Sequence, residues 1–277
     1  MRAIGVVALA VVGGGCSKAD LGAASFVDGL RLLGVQAEPP EAAPGDAVDL
    51  TAWVVDPRGG AVDVTWSACL LPSNGTANPG CTDGSGNGLV VLGSGATIRI
   101  VMPAVDVATL GAPDATDGVY LPIVVHAAAP DDSIDAVYRL RARVLAVPGC
   151  TLAPPYPAHC APNRNPTIAT IDPLGGADAP IAAHRDEVWA LLLRYSGDSS
   201  EEYEVPGSTN PDVFERLTTQ WFATAGSFPD SPVGGTGVQK LTLDRALPAA
   251  GGTFDLWAVG HDERGGTAMT HRTFVMQ

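Results

Sequence analysis

The residues of this chain that could carry chemistry are few and fall into small sets. Five histidines are scattered at His126, His159, His184, His261 and His271. His261 and His271 flank Asp262 at a spacing that two paired strands would bring together, so a small metal or acid–base cluster is conceivable there. The plain alternative is a set of solvated surface histidines. Asp131, Asp132 and Asp135 could offer oxygen ligands to Ca²⁺, or simply form an acidic hairpin tip. Arg139, Arg141 and Arg143 alternate, which on a strand projects all three from one face, with Tyr138, Leu140 and Ala142 on the other. In a chain of formal charge −14 this stripe is the most distinctive surface feature. Its guanidinium forks suit a carboxylate- or phosphate-bearing partner, and equally suit acidic side chains on neighbouring strands.

Five cysteines remain to be placed. Cys16 stands apart near the start, which leaves Cys69, Cys81, Cys150 and Cys160. An even number in an exported chain reads as disulfides, and four cysteines allow three connectivities. The sequence-local pairs, Cys69 with Cys81 and Cys150 with Cys160, are preferred because each closes a short loop rich in Pro, Gly and Asn. Each would contribute on the order of 3 kcal/mol. A zinc site is the rival, but the close cysteine pairs of a zinc ribbon are missing. The sequence has no Gly-x-Ser-x-Gly elbow, no His-Glu-x-x-His, no phosphate-binding loop and no EF-hand loop. No catalytic residue, cofactor or metal is therefore expected.

The elements that must position these residues begin with residues 1–16. Arg2 is followed by an uncharged apolar run over residues 3–12, then Gly13, Gly14, Gly15 and Cys16. A run of about ten residues falls well short of the roughly twenty that span a bilayer as a helix. Its length and flanks suit a secretory signal peptide, so export from the cytoplasm is expected. No later segment is long and apolar enough to span a membrane as a helix. An acidic chain gains no counterion-release energy from nucleic acid and is repelled by anionic lipid surfaces. Nucleic acid is thus not an expected partner, and any membrane attachment must be covalent.

Glycine and proline recur between short apolar runs, which favours many strands and turns over long helices. Strands are expected over residues 30–37, 48–54, 62–68 and 97–102. A hairpin over residues 118–128 and 135–144 would turn at Pro130-Asp131-Asp132. Trp66 is the expected core anchor of this half. After a proline-rich stretch the plan repeats, with strands over residues 167–172, 187–195, 218–224, 238–243, 254–259 and 267–275. Trp221 stands where the first half has Trp66, and a short helical turn is expected near residues 210–217. The fold class is all-β: two tandem antiparallel β-sandwich domains after a signal peptide. The expected limits are 1–15 for the signal, 16–25 for Cys16 and a flexible tether, 26–147 for domain one, 148–166 for the linker and 167–277 for domain two.

Two resemblances follow. The Gly15-Cys16 junction after an apolar run resembles the lipobox of bacterial lipoproteins, which implies cleavage before Cys16 and its lipidation. With Ser17 rather than aspartate next, it further implies an outer-membrane destination. Residues 38–52, 65–69 and 221–226 resemble the strands and turns of immunoglobulin-like modules in bacterial surface proteins. That resemblance is architectural and implies no catalytic residues. The expectation is a non-enzymatic, lipid-anchored envelope protein acting as a binding or spacer module toward an envelope protein or glycan. The alternatives are a carbohydrate- or cell-wall-binding protein stacking sugars on Trp53 or Tyr156, and an unrecognised hydrolase using His261 and gathered carboxylates.

Overall fold

The computed structural model describes residues 25–69, 89–104, 118–143, 161–172, 182–203, 213–228 and 238–277. Among them the regular structure is all strand, and the reason is visible in the residue alternation. In Ala47–Val55, Val48, Leu50 and Ala52 are buried while Asp49, Thr51 and Trp53 are half-buried. In Asp63–Cys69, Val64, Trp66 and Ala68 are buried in the same period of two.

The first half holds eight strands: β1 (Arg31–Glu38), β2 (Glu41–Ala42), β3 (Ala47–Val55), β4 (Asp63–Cys69), β5 (Leu89–Ser94), β6 (Thr97–Val101), β7 (Val119–Ala129) and β8 (Asp132–Ala142). They form two facing sheets ordered β1-β3-β6 and β2-β8-β7-β4-β5. Val48, Leu50, Trp66, Ile98, Leu121, Ile123 and Leu140 fill the space between them. The Trp66 Nε1 donates to the Gly95 carbonyl at 2.8 Å, so the core tryptophan also pins the corner where the chain leaves β5 for the opposite sheet.

The second half holds β9 (Ile168–Asp172), β10 (Ala182–Ala183), β11 (Val188–Tyr195), β12 (Glu202–Tyr203), β13 (Val213–Phe214), β14 (Thr218–Ala223), β15 (Gln239–Thr242), β16 (Thr253–His261) and β17 (Thr267–Met276). Its sheets run β10-β17-β16-β14 and β15-β11-β9, with β12 and β13 as a separate ribbon. Trp189, Phe254 and Phe274 form an aromatic triad in its core, with Trp221 fully buried beside them.

The two halves share one topology. In each, a two-residue strand pairs in parallel with the last long strand, β2 with β8 and β10 with β17, while the other pairings within the two sandwiches are antiparallel. In each, a fully buried tryptophan lies on the first strand after the three-stranded sheet's centre to join the opposite sheet, Trp66 on β4 and Trp221 on β14. This is the strand plan of an immunoglobulin-like sandwich. Even the turns repeat. Asp46 Oδ2 accepts the Ala43 N–H at 2.9 Å, and Glu187 Oε2 accepts the His184 N–H at 3.0 Å, three residues back in both cases.

Two expectations need correcting. The hairpin turn is tighter than Pro130-Asp131-Asp132, since Asp132 and Asp135 already belong to β8. No helix forms over residues 213–217, because Val213 and Phe214 pair with β12. Cys16, Cys81, Cys150, Cys160 and Tyr156 lie outside the described residues.

Candidate functional site

The two sandwiches meet through outward faces that simple alternation would assign to solvent. In β16, Phe254, Leu256 and Ala258 point into the second core, so Trp257 and Val259 point out. They meet Val27 and Leu33 of the first half, with Trp53, Val55, Phe222 and Met269 packed around them. Leu33 reaches that side because β1 is irregular between Leu32 and Gly34, which sends Leu32 to one core and Leu33 to the junction. A Cβ on Gly34 would sit 3.3 Å from both Trp53 Cε3 and Val259 Cγ1, so the absence of a side chain there sets the spacing of the two halves. Phe26, expected to open the first domain, instead bridges to Ala223 of β14, with the Arg245 guanidinium stacked over its ring at 4.1 Å.

Beside this apolar patch lies a buried polar network. Arg264, in the turn between β16 and β17, donates from Nη2 to Glu41 Oε2 at 3.0 Å and from Nη1 to Glu215 Oε1 at 3.2 Å. It also stacks over Tyr203 at 5.2 Å. Glu41 belongs to the first sandwich and Glu215 to the second, so one guanidinium fork clamps both. Parallel pairing sets Glu41 opposite Arg141, and their side chains form a second ion pair at 3.6 Å. The Arg264 turn is itself organised by Asp262, whose Oδ1 accepts the N–H groups of Arg264 at 2.8 Å and Gly266 at 2.7 Å. Any Cβ on Gly266 would strike the Asp262 carboxylate and approach the Arg164 carbonyl to 2.9 Å.

The segment Asn163-Arg164-Asn165, read in the sequence as linker, is the third party. The Asn163 N–H donates to Glu41 at 2.8 Å while its Nδ2 donates to Asp262 at 3.2 Å. Asn165 donates to the Ala37 carbonyl at 2.7 Å and accepts the Thr267 N–H at 2.8 Å. Each asparagine therefore ties one sandwich to the other. Arg164 is ion-paired with Glu201.

Burial dominates the electrostatics here. The Glu215 side chain has no solvent exposure. Its carboxyl is pushed up to about 7, by burial first and by the Asp262 charge second, with Arg264 opposing. Burial likewise raises Asp262, against the Gly266 N–H and Asn163. It lowers His261 and raises the Tyr138 phenol. Next to the network a cavity of about 310 Å³ opens between Tyr120, Tyr138 and Arg139 on one side and His261, Asp262 and Gly265 on the other.

The candidate residues named from the sequence go to different places. Arg139 is exposed and lines the cavity, Arg141 is only 5% exposed within the ion network, and Arg143 is half-buried with its N–H on the Ala42 carbonyl. The stripe is thus not a continuous surface, because β2 and the second sandwich cover its middle. Cys69 ends β4 fully buried. His261 bonds Thr267, whereas His271 stacks on Trp257 and bonds Asp255 at 2.9 Å. In the β16–β17 ladder His261 pairs with Thr267 and His271 with Trp257, four residues along the strand, or about 13 Å. No cluster joins the two histidines. Asp132 is held by Arg58 at 3.1 Å and Asp135 by His126 at 2.8 Å. Trp53 is packed in the junction and is not an open stacking platform. Glu41, Asn163, Asn165, Glu215 and Arg264 had no sequence signal beyond the turn residues Asp262, Gly265 and Gly266.

No family model matches this chain, and no curated protein does. Among solved structures, the chain is similar to murine CEACAM1b at 9% identity, covering 88% of this chain and 98% of that one, with a TM-score of 0.22. The four N-terminal Ig domains of Dscam1 isoform 1.9 align at 10% identity over 86% of this chain and 43% of that one, with a TM-score of 0.21. Dimeric latent PorU from Porphyromonas gingivalis aligns at 11% identity over 91% and 24%, with a TM-score of 0.25. The chain thus spans most of the first of these and less than half of the other two. Likenesses at this level carry neither a family nor a function to this chain.

Proposed function

We propose that this chain is an exported, lipid-anchored envelope protein whose two sandwiches act without catalysis, as one stiff unit presenting a binding or spacer surface. The observation that carries the reading is the junction. Leu33, Trp53, Trp257 and Val259 would form an exposed apolar patch on separate modules, and here they pack one module on the other. Arg264 then locks the pair through carboxylates drawn from both halves. Modules at residues 26–147 and 167–277 with anchorage at Cys16 complete the picture, the anchor resting on the lipobox resemblance alone. Cys69 is proposed to form a disulfide, a pairing that rests on the sequence alone. Cys81 is its proposed partner by chain proximity, and Cys150 pairs with Cys160 by the same reasoning. A glycan- or envelope-protein-binding form of this reading would use the junction cavity rather than Trp53.

The test is orientation in solution. Residual dipolar couplings measured on both sandwiches of the mature protein should fit a single alignment tensor. Two independent tensors would mean freely hinged modules and would defeat the reading.

A further inference from the structure

Strand β8 is covered along only part of one side. β7 pairs with its whole length, while β2 meets only Arg141 and Ala142, so from Asp132 to Leu140 the other side of β8 is an open sheet edge among the described residues. Two observations show which residues turn their backbone to that side. Arg143 donates its N–H to the Ala42 carbonyl of β2 and so points away from β7. Pro122 of β7, which has no N–H, stands opposite Arg139, a place that a pair exchanging two hydrogen bonds could not occupy. By alternation, Val137 and Arg139 direct both N–H and C=O into the open side. The neighbouring edge on this flank is already capped, since the Asn165 side chain bonds the Ala37 carbonyl of β1 at 2.7 Å.

This open stretch forms one wall of the junction cavity of about 310 Å³, and Val137 and Arg139 line it with exposed side chains. Tyr138, on the other face of β8, reaches the Gly265 carbonyl of the second sandwich at 3.4 Å. A strand added at the usual spacing of about 4.8 Å would therefore lie beside the β16–β17 turn, its side chains alternating between the Arg139 face and the turn. The two sides differ in charge. Arg139 has no ion-pair partner among the described residues, whereas Asp262 and Glu263 stand on the turn side. A sugar ring would need an open aromatic face, but the Arg141 guanidinium lies over Tyr120 at 5.9 Å and Tyr138 is held on Gly265.

We propose that the open edge of β8 at Val137 and Arg139 takes an extended peptide segment of a partner protein as an added strand. The segment carries an acidic residue beside Arg139, an apolar one beside Val137, and between them a basic one facing Glu263. Main-chain hydrogen bonds supply the attachment, and the alternating side chains choose the partner. The inference rests on the stiff-pair reading, because the far wall of the cavity belongs to the second sandwich.

The experiment selects a random octapeptide library, displayed on phage, against the mature wild-type protein and maps the selected peptides by amide chemical shifts. They should carry acidic and basic residues at adjacent positions and shift the Val137, Arg139 and Gly265 amides. Val137→Pro removes an outward donor without breaking the β7 ladder, and should weaken these peptides about tenfold. Arg139→Glu should invert the selection at the outward position from acidic to basic, and decides the matter if Val137→Pro does not fold. No selected peptide, shifts away from β8, undiminished binding to folded Val137→Pro or an unchanged selection by Arg139→Glu overturns the inference. So does a glycan array that yields a ligand at these amides when no peptide binds there. The alignment tensors read the stiff pair separately. A single tensor without peptide binding overturns only the added strand, and two tensors overturn the stiff pair and the shared cavity with it.

Discussion

Arg264 shows how one side chain can link two folded units. Its guanidinium is planar and forked, so it meets Glu41 and Glu215 at once, and the Tyr203 ring covers its face. Removing it strands two buried carboxylates from different sandwiches, which is the costly way to break a buried pair. Arg264→Ala should therefore destabilise the protein by about 3 kcal/mol, seen as a fall in thermal midpoint. Arg264→Lys should recover only part of that loss, because an ammonium cannot bridge both carboxylates in one plane. Full rescue by lysine would show that charge alone is sufficient. Nothing in the local sequence marks Glu215 as Arg264's partner. The Asp262 to Gly266 turn is legible from its composition, but what it docks against is not.

Strands with two useful faces explain where reading by alternation succeeds and where it stops. Val48, Leu50 and Ala52 on β3, and Val64, Trp66 and Ala68 on β4, take the inward positions that their spacing demands. On β16 both faces are apolar from Leu256 to Val259, a pattern that says a strand is covered twice without saying by what. On β8 the alternation of Arg139 and Arg141, continued just past the strand by Arg143, opposes them to Leu140. Only the parallel placement of β2 puts Glu41 across from Arg141 and buries it. Gly34 gives a direct test at this scale. Gly34→Leu adds a side chain where Trp53 and Val259 already lie 3.3 Å from the Cβ position. The expected cost is about 2 kcal/mol, the usual range for overpacking, measured by chemical denaturation. Junction amides should lose protection before those of either core. An unaffected midpoint would mean that the two halves slide apart without penalty.

For the molecule as a whole, the tether enters at an informative place. Phe26, ten residues after Cys16, docks on β14 of the second sandwich, so an anchor at Cys16 would be joined to the fold at the junction through that short stretch of sequence. Cys16→Ala should move the protein from the detergent phase to the aqueous phase, with intact mass reporting the loss of lipid. Retention in the detergent phase would remove the anchor from the proposal.

The sequence by itself determined the all-strand architecture, the order of the long strands apart from β5, and the two core tryptophans. These depend on period-two burial and on local backbone preferences, both of which are written within a few residues. Only the tertiary structure decided that Trp53 is packed rather than open, that Asn163 and Asn165 are fasteners rather than linker, and that His261 and His271 stand apart. It alone joined Glu41, Glu215 and Arg264. Those outcomes depend on which outward faces meet and on the register between distant strands. Such contacts come from closing long stretches of chain, and no local pattern of residue types encodes which closure occurs.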